Sequence, residues 1–183
     1  WPQAHNDVIR TILGKAKHGT RVIYIPGNHD RILRDHDGLV MDNVEFRREA
    51  VHETADGRRF LVLHGDEFDS IVRASPLLES IGSHAYAAAL TANRYLNRIR
   101  RRFGFPYWSL AAFLKHKVKN AVKYIAGYER ALAEEARRRD LQGVICGHIH
   151  RAEISDIDGI LYCNDGDWVE SCTALVEDFD GRL

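Results

Sequence analysis

The chain has 183 residues, 45% of them hydrophobic, with 26 basic and 26 acidic side chains and a pI near 7.3. That is enough apolar material for one domain with its own core, and a net charge of zero argues against long-range attraction to nucleic acid. No apolar run reaches the roughly 18 to 20 residues that span a bilayer. The three cysteines, Cys146, Cys163 and Cys172, are an odd number in apolar settings, which argues against a disulfide framework and fits a reducing cytoplasm.

The chain opens Trp1-Pro2-Gln3 rather than on Met, as a segment cut from a longer frame would. Residues 3 to 18 read as a helix, with Val8, Ile9, Ile12, Leu13 and Ala16 at helical spacing and Gly19 as the stop. A strand over 20 to 25 ends at Pro26-Gly27 and releases Gly27-Asn28-His29-Asp30 into a loop. Val44 to Thr54 and Arg58 to Leu63 read as a hairpin across Ala55-Asp56-Gly57, whose second arm runs into His64-Gly65-Asp66. Residues 76 to 139 are helix-forming and broken around Gly104-Phe105-Pro106. They predict two long helices, about 76–102 and 108–139, inserted as a cap beside the site. Strands resume at 142–146, 152–157, 160–164 and 172–178, and the first of them ends at Gly147-His148-Ile149-His150.

Three apolar, β-branched runs thus each deliver His or Asn at a strand's C-terminal tip, which is how an α/β sheet assembles a site. Imidazole with carboxamide or carboxylate suits Mn²⁺, Fe or Zn²⁺. In an extended segment, alternation sends His148 and His150 to one side, where they serve two adjacent ions or chelate one. Asn28 offers a neutral oxygen to a hard cation, and His29 a proton to a leaving group. Each cluster has a plainer reading as a turn or a strand cap. Together they are more specific, because independent turns seldom each place His after a buried strand. Asp66, Asp69 and Asp167 are candidates to bind substrate hydroxyls or to orient the histidines, with a salt bridge or turn cap as the equal alternative. Trp168 reads as structural.

On Gly27-Asn28-His29-Asp30, His64-Gly65 and Gly147-His148-Ile149-His150, the chain resembles the calcineurin-like metallophosphoesterases. The resemblance implies an α/β fold, an αββα sandwich, here lacking its first strands and carrying the helical cap at about 76–139. It also implies two divalent ions and a two-metal hydroxide attack on phosphorus. Asn28, His64 and His148 would hold one ion, His150 the other, and His29 would assist catalysis. The family's Asp-x-His and first Gly-Asp signatures precede Gly27 and are not in this sequence, so the chain as given is expected to be incomplete for activity.

Leu63-His64-Gly65-Asp66-Glu67-Phe68-Asp69, Tyr107-Trp108-Ser109-Leu110 and Asn164-Asp165-Gly166-Asp167-Trp168-Val169-Glu170-Ser171-Cys172 are similar to the bacterial UDP-2,3-diacylglucosamine diphosphatases. Those are peripheral membrane hydrolases of lipid A synthesis, generally Mn²⁺-dependent, that release UMP. This implies an anionic nucleotide-lipid substrate and a cytoplasmic protein peripheral at the inner membrane. The best-known branch has Arg where this chain has His29.

Residues 94 to 123 carry nine cations and no acid, interleaved with Tyr95, Phe103, Phe105, Tyr107, Trp108 and Phe113. Arg94 and Arg98 are the candidates there for gripping an anionic substrate, and the run as a whole suits an anionic membrane surface. Nucleic acid is the poorer match because the rest of the chain offsets the charge. The alternatives are a phosphodiesterase or phosphatase acting on another nucleotide and a non-catalytic membrane-surface binding module.

Overall fold

The computed structural model describes residues 2–70, 94–106, 108 and 119–183. Helix α1 (Gln3–Lys17) leads into β1 (Val22–Tyr24), a 3₁₀ turn (Arg31–His36), β2 (Val40–Met41), β3 (Val44–Phe46), β4 (Glu49–Glu53) and β5 (Arg59–Leu63). A second 3₁₀ turn (Asp66–Ser70) follows β5, residues 94–102 are helical, and then come α2 (Lys119–Arg138), β6 (Gly143–Cys146), β7 (Glu153–Ile157) and β8 (Ile160–Asn164).

The strands form two sheets. One has the order β1-β3-β2, with β1 and β3 parallel; the other runs β4-β5-β6-β8-β7, with β5, β6 and β8 parallel and both outer pairs antiparallel. Strand alternation divides the larger sheet's residues cleanly. Leu61, Val144 and Tyr162 face α2 and join Tyr128, Leu132, Ala133 and Ala136 in the core. Val62 and Ile145 point the other way, into a cleft shared with Ile23 and Ile25 of the smaller sheet. Helix α1 meets that smaller sheet where the Asn43 side-chain amide donates to the Ala16 carbonyl at 2.7 Å. This is a mixed α/β architecture of two sheets flanked by helices, as expected from the sequence.

Four local expectations change. The predicted arm Val44–Thr54 is two strands in different sheets, because β3 pairs with β1 and β4 with β5, separated at Arg47-Arg48. The expected strand at 172–178 makes no ladder. It is held beside β4 by side chains instead, Glu177 accepting from the Ala55 amide (2.8 Å) and bonding His52 Nε2 (2.5 Å). Helix α1 buries only Ala16, leaving Val8, Ile9 and Leu13 exposed. The predicted cap boundary at 139 takes in α2, yet α2 is a core helix: Tyr128, Leu132, Ala133 and Ala136 are at most 1% exposed. The helical expectations for 76–93 and 109–118, and with them Tyr107, Ser109, Leu110 and Phe113, lie outside the described residues.

Candidate functional site

Three chain segments meet at the C-terminal ends of β1, β5 and β6. The first cluster follows a strand that is only half-buried rather than buried as expected, Tyr24 being 40% exposed. Its loop is shaped by Asp30, whose carboxylate accepts from the Gly27 amide at 2.6 Å and from the Tyr24 hydroxyl. That closes a turn which leaves Asn28 and His29 exposed. Gly27 itself is pressed against the second cluster. A Cβ there would stand 2.5 Å from His64 Nε2, so only glycine lets the loop approach the ring.

His64 is oriented from behind. Its Nδ1–H donates to Asp66 at 2.8 Å, leaving the Nε2 lone pair turned towards the Gly27 loop. Burial holds the imidazole below its ordinary pKa, against the opposing effect of its hydrogen bond to Asp66, so the neutral, lone-pair form is favoured. Burial alone would raise Asp66, but hydrogen bonds from Arg34 and His64 hold its carboxyl below the usual range.

The third cluster docks on the second through the Gly147 amide, which donates to the His64 carbonyl at 3.2 Å. Buried Asn164 fixes the same turn by donating to the Gly147 carbonyl at 2.7 Å. Tyr128, fully buried on α2, stands beneath: its hydroxyl lies 3.5 Å from that carbonyl, and a Cβ on Gly65 (φ +103°) would collide with it at 1.9 Å. The rings of His64 and His148 are 5.2 Å apart, edge to face. His148 Nε2 bonds Asp69 at 2.8 and 2.9 Å, and Asp69 also accepts from the Tyr124 hydroxyl.

His148 and His150 do not alternate as strand residues. Both have left-handed backbone, φ 66° and 52°, and the Ile149 amide turns back to the Gly147 carbonyl at 2.8 Å. Two non-glycine residues in that region store of order 1 kcal/mol or more each, a cost concentrated at functional turns. His148 is half-buried and His150 exposed.

The remaining candidates separate. Asp66 and Asp69 stand in the cluster, both committed to imidazoles, and both border an open cavity of about 770 Å³ with Arg31, Arg34 and Arg48. Asp167 is a turn cap: it accepts from the Val169 and Ser171 amides at 2.8 and 3.2 Å, from the Glu170 amide and from the Ser171 hydroxyl. Arg94 and Arg98 are exposed on the helical residues 94–102, Arg98 over the Tyr95 ring at 5.8 Å. Arg100 lies over Phe105 and Trp108 at 5.5 and 5.9 Å, and Asn97 ties both its amide donor and its carbonyl to the Trp108 backbone. The sequence reading missed Arg34, Asn164 and Tyr128. A strand-terminal Asn beside a motif strand is a signal for the second; a buried Arg within a polar 3₁₀ turn leaves none.

Neutral imidazole beside carboxylate oxygen is donor chemistry suited to a divalent ion, and the close glycine approach at Gly27 keeps the His64 lone pair open to the Asn28 loop. Among the described residues, no three His, Cys, Asp or Glu side chains close on one point.

The ends of the parallel strands β5 and β6 bring the His64 and His148 rings together, with Gly27 pressed against His64. The calcineurin-like phosphoesterase model matches residues 3–152, and the chain belongs to that family of metal-dependent hydrolases. No curated protein matches the chain.

Proposed function

We propose that this protein hydrolyses a nucleotide-linked pyrophosphate of the UDP-2,3-diacylglucosamine type, releasing UMP, with Mn²⁺ as the working metal and Fe or Zn²⁺ as substitutes. The observation that carries the site assignment is the convergence of His64 and His148 at 5.2 Å with the Gly27-Asn28 loop set against His64 Nε2. Asn28, His64 and His148 would hold one ion, with His150 contributing to the other. Bound divalent ions supply charge neutralisation on the phosphoryl oxygens and lower the pKa of water. Asp66 fixes the His64 ring, and Asp69 with Tyr124 fixes that of His148. His29, exposed at the loop tip, delivers a proton to the departing phosphate oxygen as one water is consumed and one P–O bond is broken.

The exposed cations Arg94 and Arg98, with exposed Tyr95, Phe103, Phe105 and Trp108 beside them, support a substrate that is anionic at one end and acylated at the other. The same surface supports peripheral attachment to the cytoplasmic face of an anionic membrane. A second reading, hydrolysis of another nucleotide phosphoester, is favoured by His29 itself, which stands where the best-known lipid A branch carries Arg. The test is UMP release from UDP-2,3-diacylglucosamine in detergent with Mn²⁺, beside a soluble aryl phosphodiester. UMP release lost in His148→Ala supports the lipid substrate. Turnover of the soluble ester alone transfers the assignment to the second reading.

A further inference from the structure

The Asn28 loop and His64 belong to different sheets, yet a metal site shared between them needs their separation fixed to a fraction of an ångström. Between them stands Arg34, in the 3₁₀ turn Arg31–His36, only 9% exposed. Its Nε and Nη2 donate to the Pro26 carbonyl at 3.2 and 3.0 Å, the residue immediately before Gly27. Its Nη2 and Nη1 donate to Asp66 at 2.5 and 3.1 Å, and Glu67 lies beyond at 3.7 Å. Asp66 Oδ1 in turn accepts the hydrogen bond of His64 Nδ1–H.

We propose that Arg34 is a positioning residue that locks the Asn28 loop and the His64 ring into one register for metal binding. The inference rests on the proposed role of His64 as a metal ligand. A guanidinium suits the task because its planar fork meets two acceptors from two directions at once. An ammonium is a point charge that reaches one of them. Losing the fork frees the Asp66 carboxylate to rotate. His64 then loses the bond that keeps its proton on Nδ1 and its lone pair on Nε2, and the Pro26 carbonyl loses both donors.

The experiment compares wild type, Arg34→Lys and His64→Ala by Mn²⁺ calorimetry, with the His64 ring followed by ¹⁵N NMR in metal-free protein. Arg34→Lys keeps the charge and most of the volume, so a role in bulk folding alone leaves both readouts in place. The expected result is a 10- to 100-fold weaker Mn²⁺ affinity and a His64 ring that populates both tautomers rather than the Nδ1–H form. Mn²⁺ affinity within twofold of wild type together with an unchanged tautomer overturns the proposal. If His64→Ala itself leaves Mn²⁺ binding unchanged, the metal role of His64 fails instead, and the two failures are thereby distinct. Should Arg34→Lys not fold, Asp66→Asn breaks the same relay from its other side and is held to the same two results.

Discussion

At Gly27 and Gly65 the backbone comes so close to a functional ring that any side chain must displace it. Gly27→Ala puts a methyl 2.5 Å from His64 Nε2, the atom that faces the Asn28 loop. The expected outcome is a variant that melts within a few degrees of wild type but binds Mn²⁺ at least tenfold more weakly by calorimetry. Gly65→Ala is a different case, since φ +103° and the Tyr128 hydroxyl both oppose it. Urea denaturation is expected to show a loss of about 2–4 kcal/mol.

Asp165 supplies a pH-dependent prediction. Burial, and then the charge of Asp167, push its carboxyl up to about 6. A folded-state pKa above the unfolded value means that the native state binds the proton more tightly. Its contribution to stability is therefore full below about pH 4 and is lost as pH rises to about 6. Asp165 is exposed overall, so solvent screens the effect: Asp165→Asn in metal-free protein is expected to gain less than about 1 kcal/mol at pH 7 and nothing at pH 4, measured by denaturant melts at both values. An equal effect at the two pH values would contradict it.

At the scale of elements, α2 is what the larger sheet is built against. Leu132, at 0% exposure among Leu61, Val144 and Tyr162, is expected to cost about 2–5 kcal/mol on truncation to Ala. Phe103→Ser, at 71% exposure, is expected to lie within about 0.5 kcal/mol of wild type. Composition made α2 legible as helix-forming and β5, β6 and β8 as apolar runs, β6 and β8 being buried on both faces while β7 alternates. It misjudged α2's place, since an amphipathic helix has the same pattern whether it caps a site or fills a core; only its neighbours decide. Val44–Thr54 reads as one strand because two short strands of different sheets, joined by two residues, leave no break in composition. The 172–178 segment has strand-like residues, but Glu177 satisfies β4 neighbours through its side chain, which alternation does not foresee.

Across the whole molecule, the position of His64 and His148 at strand ends was legible from the apolar runs before them, and the structure brings the two rings to 5.2 Å. What connects them was not legible. Arg34 and Asp66 join two sheets over 32 positions of sequence, Asp69 reaches His148 over 79, and Asn164 reaches Gly147 over 17. No local pattern carries such pairings. Nor did strand alternation foretell the left-handed backbone at His148 and His150, which departs from the regular period where the site begins. The Asp167 turn cap shows the converse, an acidic residue in a suggestive motif that spends its oxygens on local amides.

The measurement that bears most directly on the account is the Mn²⁺ electron paramagnetic resonance spectrum of the protein, with His64→Ala, His148→Ala and His29→Ala alongside. Bound Mn²⁺ that is lost in the first two variants and kept in the third is the predicted result, since His29 is assigned to proton transfer rather than to coordination. Mn²⁺ retained undiminished in His64→Ala and His148→Ala would contradict a metal centre at these strand ends.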